Sequence, residues 1–344
     1  MRSRLFRTIA LALGAGTTAE FLLGDQWLSG PAPLDRQLVE MIMFTVFYGS
    51  GAVLIREIAR RMGRGWPTIL LLALAFGLIE EGVLDQTLFN PHYLGLDLLA
   101  YGYVPALGIG LPWTIFVLSL HVIFSIGAPI AVTEGLFPDP LRGRSVVSPQ
   151  RQAPWLGRAG LVVVGLGYLL GAAAIFAITA STSHFLASPA QLATSLVLTA
   201  VLIGVALRLP RRPPRSGGSY WFGVLIALVA TSALQLLRVV PEQVSPWLIS
   251  LMMVVILAGG ATVAVRLRAD PVGLGSGAVL TYVWKGLSEA APLGTGPLVE
   301  QLILVVLALA VLVAAYRRRH HGVADSQRTE SEPLTSSGGG VPAT

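Results

Sequence analysis

The chain contains no cysteine, has one lysine (Lys285), and only 12% of its 344 residues are charged. The missing cysteine excludes disulfides, thiolate metal sites, a lipid-anchored cysteine and a cysteine nucleophile. A soluble domain carries roughly 25% charged residues, so polar side chains here are too few to cover a water-soluble globule. What fills the chain instead is apolar: hydrophobic residues make up 54% and the mean hydropathy is +0.71. This composition specifies an all-α, polytopic integral membrane protein. It excludes a disordered chain, a fibrous protein, a disulfide scaffold and an ordinary cytosolic enzyme.

The net charge is +6, from 24 Lys+Arg against 18 Asp+Glu. In a soluble protein such a balance points to nucleic acid. In a membrane protein it follows from arginines collecting in cytoplasmic loops, so the expected partner is the lipid bilayer and no nucleic acid.

About 20 apolar residues cross a bilayer core. Ten candidate spans follow, at about 5–24, 38–56, 67–88, 112–133, 159–180, 190–207, 220–238, 246–265, 272–288 and 297–316. The ninth is short and glycine-rich and contains Lys285. With ten crossings, alternate connecting segments hold 21 and three basic residues, the three being Arg36, Arg238 and Lys285. The positive-inside rule then puts both termini in the cytoplasm of a bacterial cell. Residues 1–319 read as one transmembrane domain. Residues 320–344, polar and rich in Ser, Gly and Pro, read as a disordered cytoplasmic tail. Thr17-Thr18-Ala19 resembles a signal cleavage site, but the apolar stretch resumes at Phe21-Leu22-Leu23, which favours an intact first span.

Spans one to four and seven to ten share a pattern that reads as a parallel internal repeat. Gly51–Arg56 and Gly260–Arg266 each end a span, Pro67 and Pro271 open the next, and Glu80 and Glu289 follow a glycine near its end. Interrupted spans at matching places in two halves mark binding sites in transporters. Gly273-x-Gly275-x-Gly277 lacks the strand-to-helix context of a phosphate loop and reads as a helix break. Gly167-x-x-x-Gly171 permits close helix packing.

Charge inside a bilayer is costly and faces a cavity or a partner. The third span carries Glu80, Glu81 and Asp85, followed by the helix stop Asn90-Pro91. Glu80 lies roughly 10 Å from the outer end of its span, and His121 roughly 12 Å from the outer end of the next. The two therefore share a depth, and His121 is expected within about 6 Å of Glu80 or Glu81, where a charge shifts a pKa. Glu20, Glu40, Lys285, Glu289 and Glu300 also fall towards the outer ends. Glu20, Glu40 and Glu300 read as helix-end charges meeting headgroups and water. Glu80, Glu81, Asp85, Asn90, His121, Lys285 and Glu289 form the candidate solute- or ion-binding set. The tyrosine-bearing loop to Leu111 reads either as a lid or as an interfacial aromatic belt. At the inner side, Arg56, Glu57 and Glu134 are expected to pair.

Glu80-Glu81 in one span and His121 in the next resemble the CAAX-protease and bacteriocin-processing family of intramembrane endopeptidases. That resemblance implies a water-activating glutamate and histidines, with metal or general-base action, and a catalytic set of Glu80, Glu81 and His121. Asp85 stands where the family has arginine, and Val117 where it has phenylalanine. His184 is followed by Ser188 where the family has asparagine. The set Arg56-Glu57, Glu80-Glu81-Gly82 and Asn90-Pro91 is also similar to uncharacterised membrane proteins of GC-rich bacteria.

The expected function is non-enzymatic: binding or moving a small solute, ion or proton through an outer-side polar cavity, with no cofactor. The alternatives are a membrane hydrolase, the one reading that brings a divalent metal, and a scaffold without substrate. Reporter fusions at Asp325 and Ser183 are expected to give opposite sidedness. The same side for both ends the ten-span arrangement.

Overall fold

Proline and capping side chains set where the helices begin. Among the described residues, five of the long helices have proline at their first or second position, at Pro67, Pro112, Pro189, Pro246 and Pro271, where its missing N–H costs nothing. Ser188 forms a capping box with Gln191, and Asp270 accepts from the amides of Val272 and Gly273. A computed structural model describes residues 2–24, 33–138, 154–211, 218–240 and 243–331, with side chains described over 4–319.

The described residues form ten long helices. α1 is Arg2–Gly16 extended by a π-helical turn, Thr17–Phe21. α2 is Leu34–Arg61, α3 Trp66–Leu84, α4 Leu111–Leu136, α5 Arg158–Ser183, α6 Pro189–Arg208, α7 Tyr220–Val239 and α8 Pro246–Arg266. α9 is Pro271–Ala290 and α10 Thr295–Ser331. A two-residue hairpin, β1 (Tyr103–Val104) with β2 (Ile109–Gly110), lies between α3 and α4. Eight of the helices are long and apolar enough to cross a bilayer, and α1 and α9 occupy the other two expected spans. α10 runs past residue 320, and residues 332–344 of the expected tail lie outside the described residues. So do Arg142, Arg144, Arg151, Arg212 and Arg215 of the basic loops.

α3 and α4 are the centre of the bundle, 67% buried over their apolar windows. α5, α6 and α8 are its rim, at 17%. The rim exposes Val163, Leu170 and Val255, which suits a face towards lipid tails. Hydrogen bonds at the helix ends fall into two groups. At one end Thr68 donates to Ala206 O (3.2 Å), Arg318 to Leu136 O (3.1 Å) and Asp270 N to Ser219 O (3.2 Å). Arg61 donates there to Leu156 O, and Arg64 to Leu207 O. At the other end Ala187 N donates to Gln86 Oε1 (2.7 Å), Tyr101 to Val244 O (2.6 Å) and Gln301 to Leu22 O (2.9 Å). Ten helices that alternate in direction among the described residues give this sorting.

α9 corrects the expected helix break. It runs unbroken through Gly273, Gly275 and Gly277. The glycines serve close approach instead: a Cβ on Gly277 would lie 2.3 Å from Val224 O of α7. Gly171 of α5 likewise admits the backbone of Phe47, 2.9 Å from where a Cβ would sit. The two stretches of the suggested repeat have different neighbours: α9 packs along α7, whereas α3 packs along α6.

At the basic end, α2 and α4 are tied by a buried ionic network. Arg60 grips Glu134 with two nitrogens, at 2.9 and 2.7 Å. Arg56 reaches Glu134 (3.2 Å) and Glu57 (2.7 Å). The Arg56 guanidinium lies over Trp155, 3.6 Å from the ring centroid. Glu57 also accepts from the Trp155 amide (2.9 Å). Removing one partner of a buried pair leaves an uncompensated charge, at a cost of about 3–5 kcal/mol. Glu134→Ala is therefore expected to lower the melting temperature in detergent sharply. Retention of the wild-type value would show that the network adds nothing to stability.

Candidate functional site

Among the described residues, four helices carry a π-helical turn: Thr17–Phe21 in α1, Thr45–Gly49 in α2, Glu80–Leu84 in α3 and His121–Gly127 in α4. A π turn adds one residue to a helical turn and re-aims the side chains beyond it, often at functional sites. Each turn here carries polar groups: Glu20, Tyr48, Glu80 with Glu81, and His121. The local cause in α3 is visible in the backbone, where Asp85 N bonds five residues back to Glu80 O (2.8 Å).

These side chains meet in the middle of the bundle. His121 Nε2 lies 2.6 Å from Glu81 Oε1. His121 Nδ1 lies 3.3 Å from Ser125 Oγ, which is its hydrogen-bond partner, and 3.0 Å from Glu80 Oε2. The latter approach lacks hydrogen-bond alignment, so Glu80 Oε2 is buried without a hydrogen bond. Tyr48 donates to Glu80 Oε1, and Thr87 to Glu81 Oε2. Trp113 Nε1 donates in turn to Thr87 (3.2 Å). The Tyr48 ring is stacked parallel to the imidazole within 12°. Glu80, Glu81 and His121 are all at least nine-tenths buried. The Glu20 carboxylate also lies close enough to act electrostatically on the Tyr48 hydroxyl.

Gly77 makes room for the histidine: a Cβ there would lie 2.8 Å from His121 Cβ. Gln86, just past the π turn, adopts φ +58°, a conformation unusual for a side chain larger than glycine. Its carbonyl oxygen holds Ala187 N.

The other candidate residues fall in different places. Asp85 accepts from Thr179 of α5 (2.9 Å) and is half-buried. Asn90 is buried; its Oδ1 accepts from His92 N (3.0 Å) and its Nδ2 has no hydrogen bond. Lys285 and Glu289 pair with each other one turn apart on α9, where Glu289 is partly exposed. Tyr93 of the loop after α3 lies close enough to the cluster that burial, followed by Asp85 and Glu81, pushes its hydroxyl well above the usual range. Three ligand-type atoms, from Glu80, Glu81 and His121, lie within 4.8 Å of one another. His184 ends α5 in a left-handed conformation and is not in that group.

Sequence reasoning missed Tyr48, Thr87, Ser125 and Trp113, and read Glu20 as a helix-end charge. The available signal for Tyr48 was a hydroxyl in an apolar span; nothing local marked the others.

Residues 27–329 match the model of an uncharacterised membrane protein family. The chain belongs to that family. No curated protein and no solved structure matches it. The matched stretch contains Tyr48, Glu80, Glu81 and His121, so the cluster lies within the part that defines the family.

Overpacking a tight interior costs typically 1–3 kcal/mol. Gly77→Val is expected to destabilise the protein by that amount, read as a lowered melting temperature. No change would mean that α3 and α4 are not in contact at this point.

Proposed function

We propose that the Glu80–His121–Glu81 cluster binds a proton or a small cation as part of moving a small solute or ion across the bilayer. The observation that carries this reading is one imidazole set against two buried carboxylates, one at each ring nitrogen. Two more carboxylates, Asp85 and Glu20, also act on Glu80. Such an excess of negative groups in low dielectric is relieved by taking up a proton or a cation. A protonated His121 supplies one positive charge and two donors. Tyr48 and Thr87 hold the carboxylates in place around the imidazole. In this reading the arginine-rich end faces the cytoplasm of a bacterial cell, and the cluster is reached from the outer side beneath the Tyr93 loop.

A second reading is favoured by one specific observation. Glu80, Glu81 and His121 offer three ligand atoms around one point, and Glu80 Oε2 has no hydrogen bond. Three protein ligands with an open position suit a divalent metal, which would supply a Lewis acid and an activated water. That reading makes the chain a hydrolase, in line with the resemblance to the CAAX-protease and bacteriocin-processing family.

Glu→Gln keeps size and hydrogen bonding but removes the titrating group. The Glu80→Gln, Glu81→Gln double variant is expected to melt at or above the wild-type temperature and to lose the cellular phenotype of the gene. Full complementation of a deletion by this variant defeats both readings and leaves a scaffold. Elemental analysis of the purified chain separates the two. Stoichiometric metal that disappears in His121→Ala supports the hydrolase reading. Its absence with lost complementation supports the proton site.

A further inference from the structure

Three basic residues belong to the end opposite the arginine-rich one, and two have carboxylate partners. Arg36 pairs with Glu40 (2.8 Å) and Lys285 with Glu289. The third, Arg238 at the end of α7, pairs with no carboxylate among the described residues. Its guanidinium lies instead over two rings of α4, 5.0 Å from the centroids of both Trp113 and Phe116. It is exposed. One turn earlier on α7, Gln235 is 2% exposed and its Nε2 donor has no hydrogen bond.

We propose that Arg238, with Gln235, is the recognition point for the anionic group of a small carboxylate or phosphate solute. This deepens the reading of the buried cluster as a proton site and rests on it. A guanidinium laid on aromatic faces keeps its fork of in-plane N–H donors for a carboxylate or phosphate, which it binds in two-pronged fashion. The aromatic faces add cation–π attraction and hold the fork still. The indole that carries Arg238 also donates to Thr87, and Thr87 donates to Glu81. An anion at Arg238 thus sits one indole and one hydroxyl away from the Glu80–His121–Glu81 cluster.

The experiment uses the intrinsic fluorescence of Trp113. The full chain in maltoside micelles, which carry no phosphate, is titrated with sodium acetate and with sodium phosphate at constant ionic strength set by sodium chloride. Saturable change in emission is expected with at least one of the two anions. Trp113→Phe is expected to abolish it, and Arg238→Gln to weaken it about tenfold or more at unchanged melting temperature. The Glu80→Gln, Glu81→Gln variant is expected to keep the response, so failure of the proton-site reading and failure of the anion site are told apart. Four outcomes overturn the proposal. Arg238→Gln responds as wild type. Chloride alone reproduces the response. Emission moves only when anionic phospholipid is added, which makes Arg238 a lipid anchor. The response appears only in Glu242→Gln, which makes that carboxylate, four residues on in the sequence and outside the described residues, the partner of Arg238.

Discussion

A carboxylate removed from water has to be matched by an opposite charge, by hydrogen bonds or by a proton. Left bare in a low-dielectric interior, it costs several kcal/mol. Two buried charge clusters in this protein meet that constraint in different ways. At the basic end, Glu57 and Glu134 are matched by Arg56, Arg60 and Arg61. In the middle of the bundle, Glu80 and Glu81 share one histidine and are otherwise held by hydroxyls. The first arrangement gives each carboxylate two arginine partners and locks helix ends. The second sets two carboxylates against a single imidazole.

The same two helices carry both clusters. α2 holds Tyr48 and, two turns on, Arg56. α4 holds His121 and, further down, Glu134. A shift of α2 against α4 that loosened one cluster would be felt at the other, because packed interiors rearrange between discrete states rather than deforming smoothly. The π turns lie where such a shift would be absorbed: both helices have one at the level of the cluster. The arrangement places the central cluster and the anchor at the basic end on one helix pair.

Much of the fold was legible because membrane spanning is written in composition. Twenty apolar residues and the alternation of arginine-rich with arginine-poor segments suffice to locate ten helices, α9 among them. The break expected at Gly273–Gly277 failed because glycine in a span has two uses, bending and close packing. Only the neighbouring α7 decides which. The meeting of His121 with Glu80 and Glu81 was legible for a similar reason: depth along two antiparallel neighbours can be counted from the helix rise alone.

The sequence by itself determined the class of protein, the helix count, the two charge-sorted ends and the depth of the central carboxylates, since each depends on local composition and on 1.5 Å per residue. Tertiary structure alone decided which hydroxyls hold those carboxylates, that Glu20 joins them, that Lys285 and Glu289 pair with each other on α9, and that Arg238 rests on Trp113 and Phe116. Those outcomes depend on helix rotation and on π turns. A single residue inserted into a turn swings every later side chain by about 100°, and no pattern in this chain announces where that occurs.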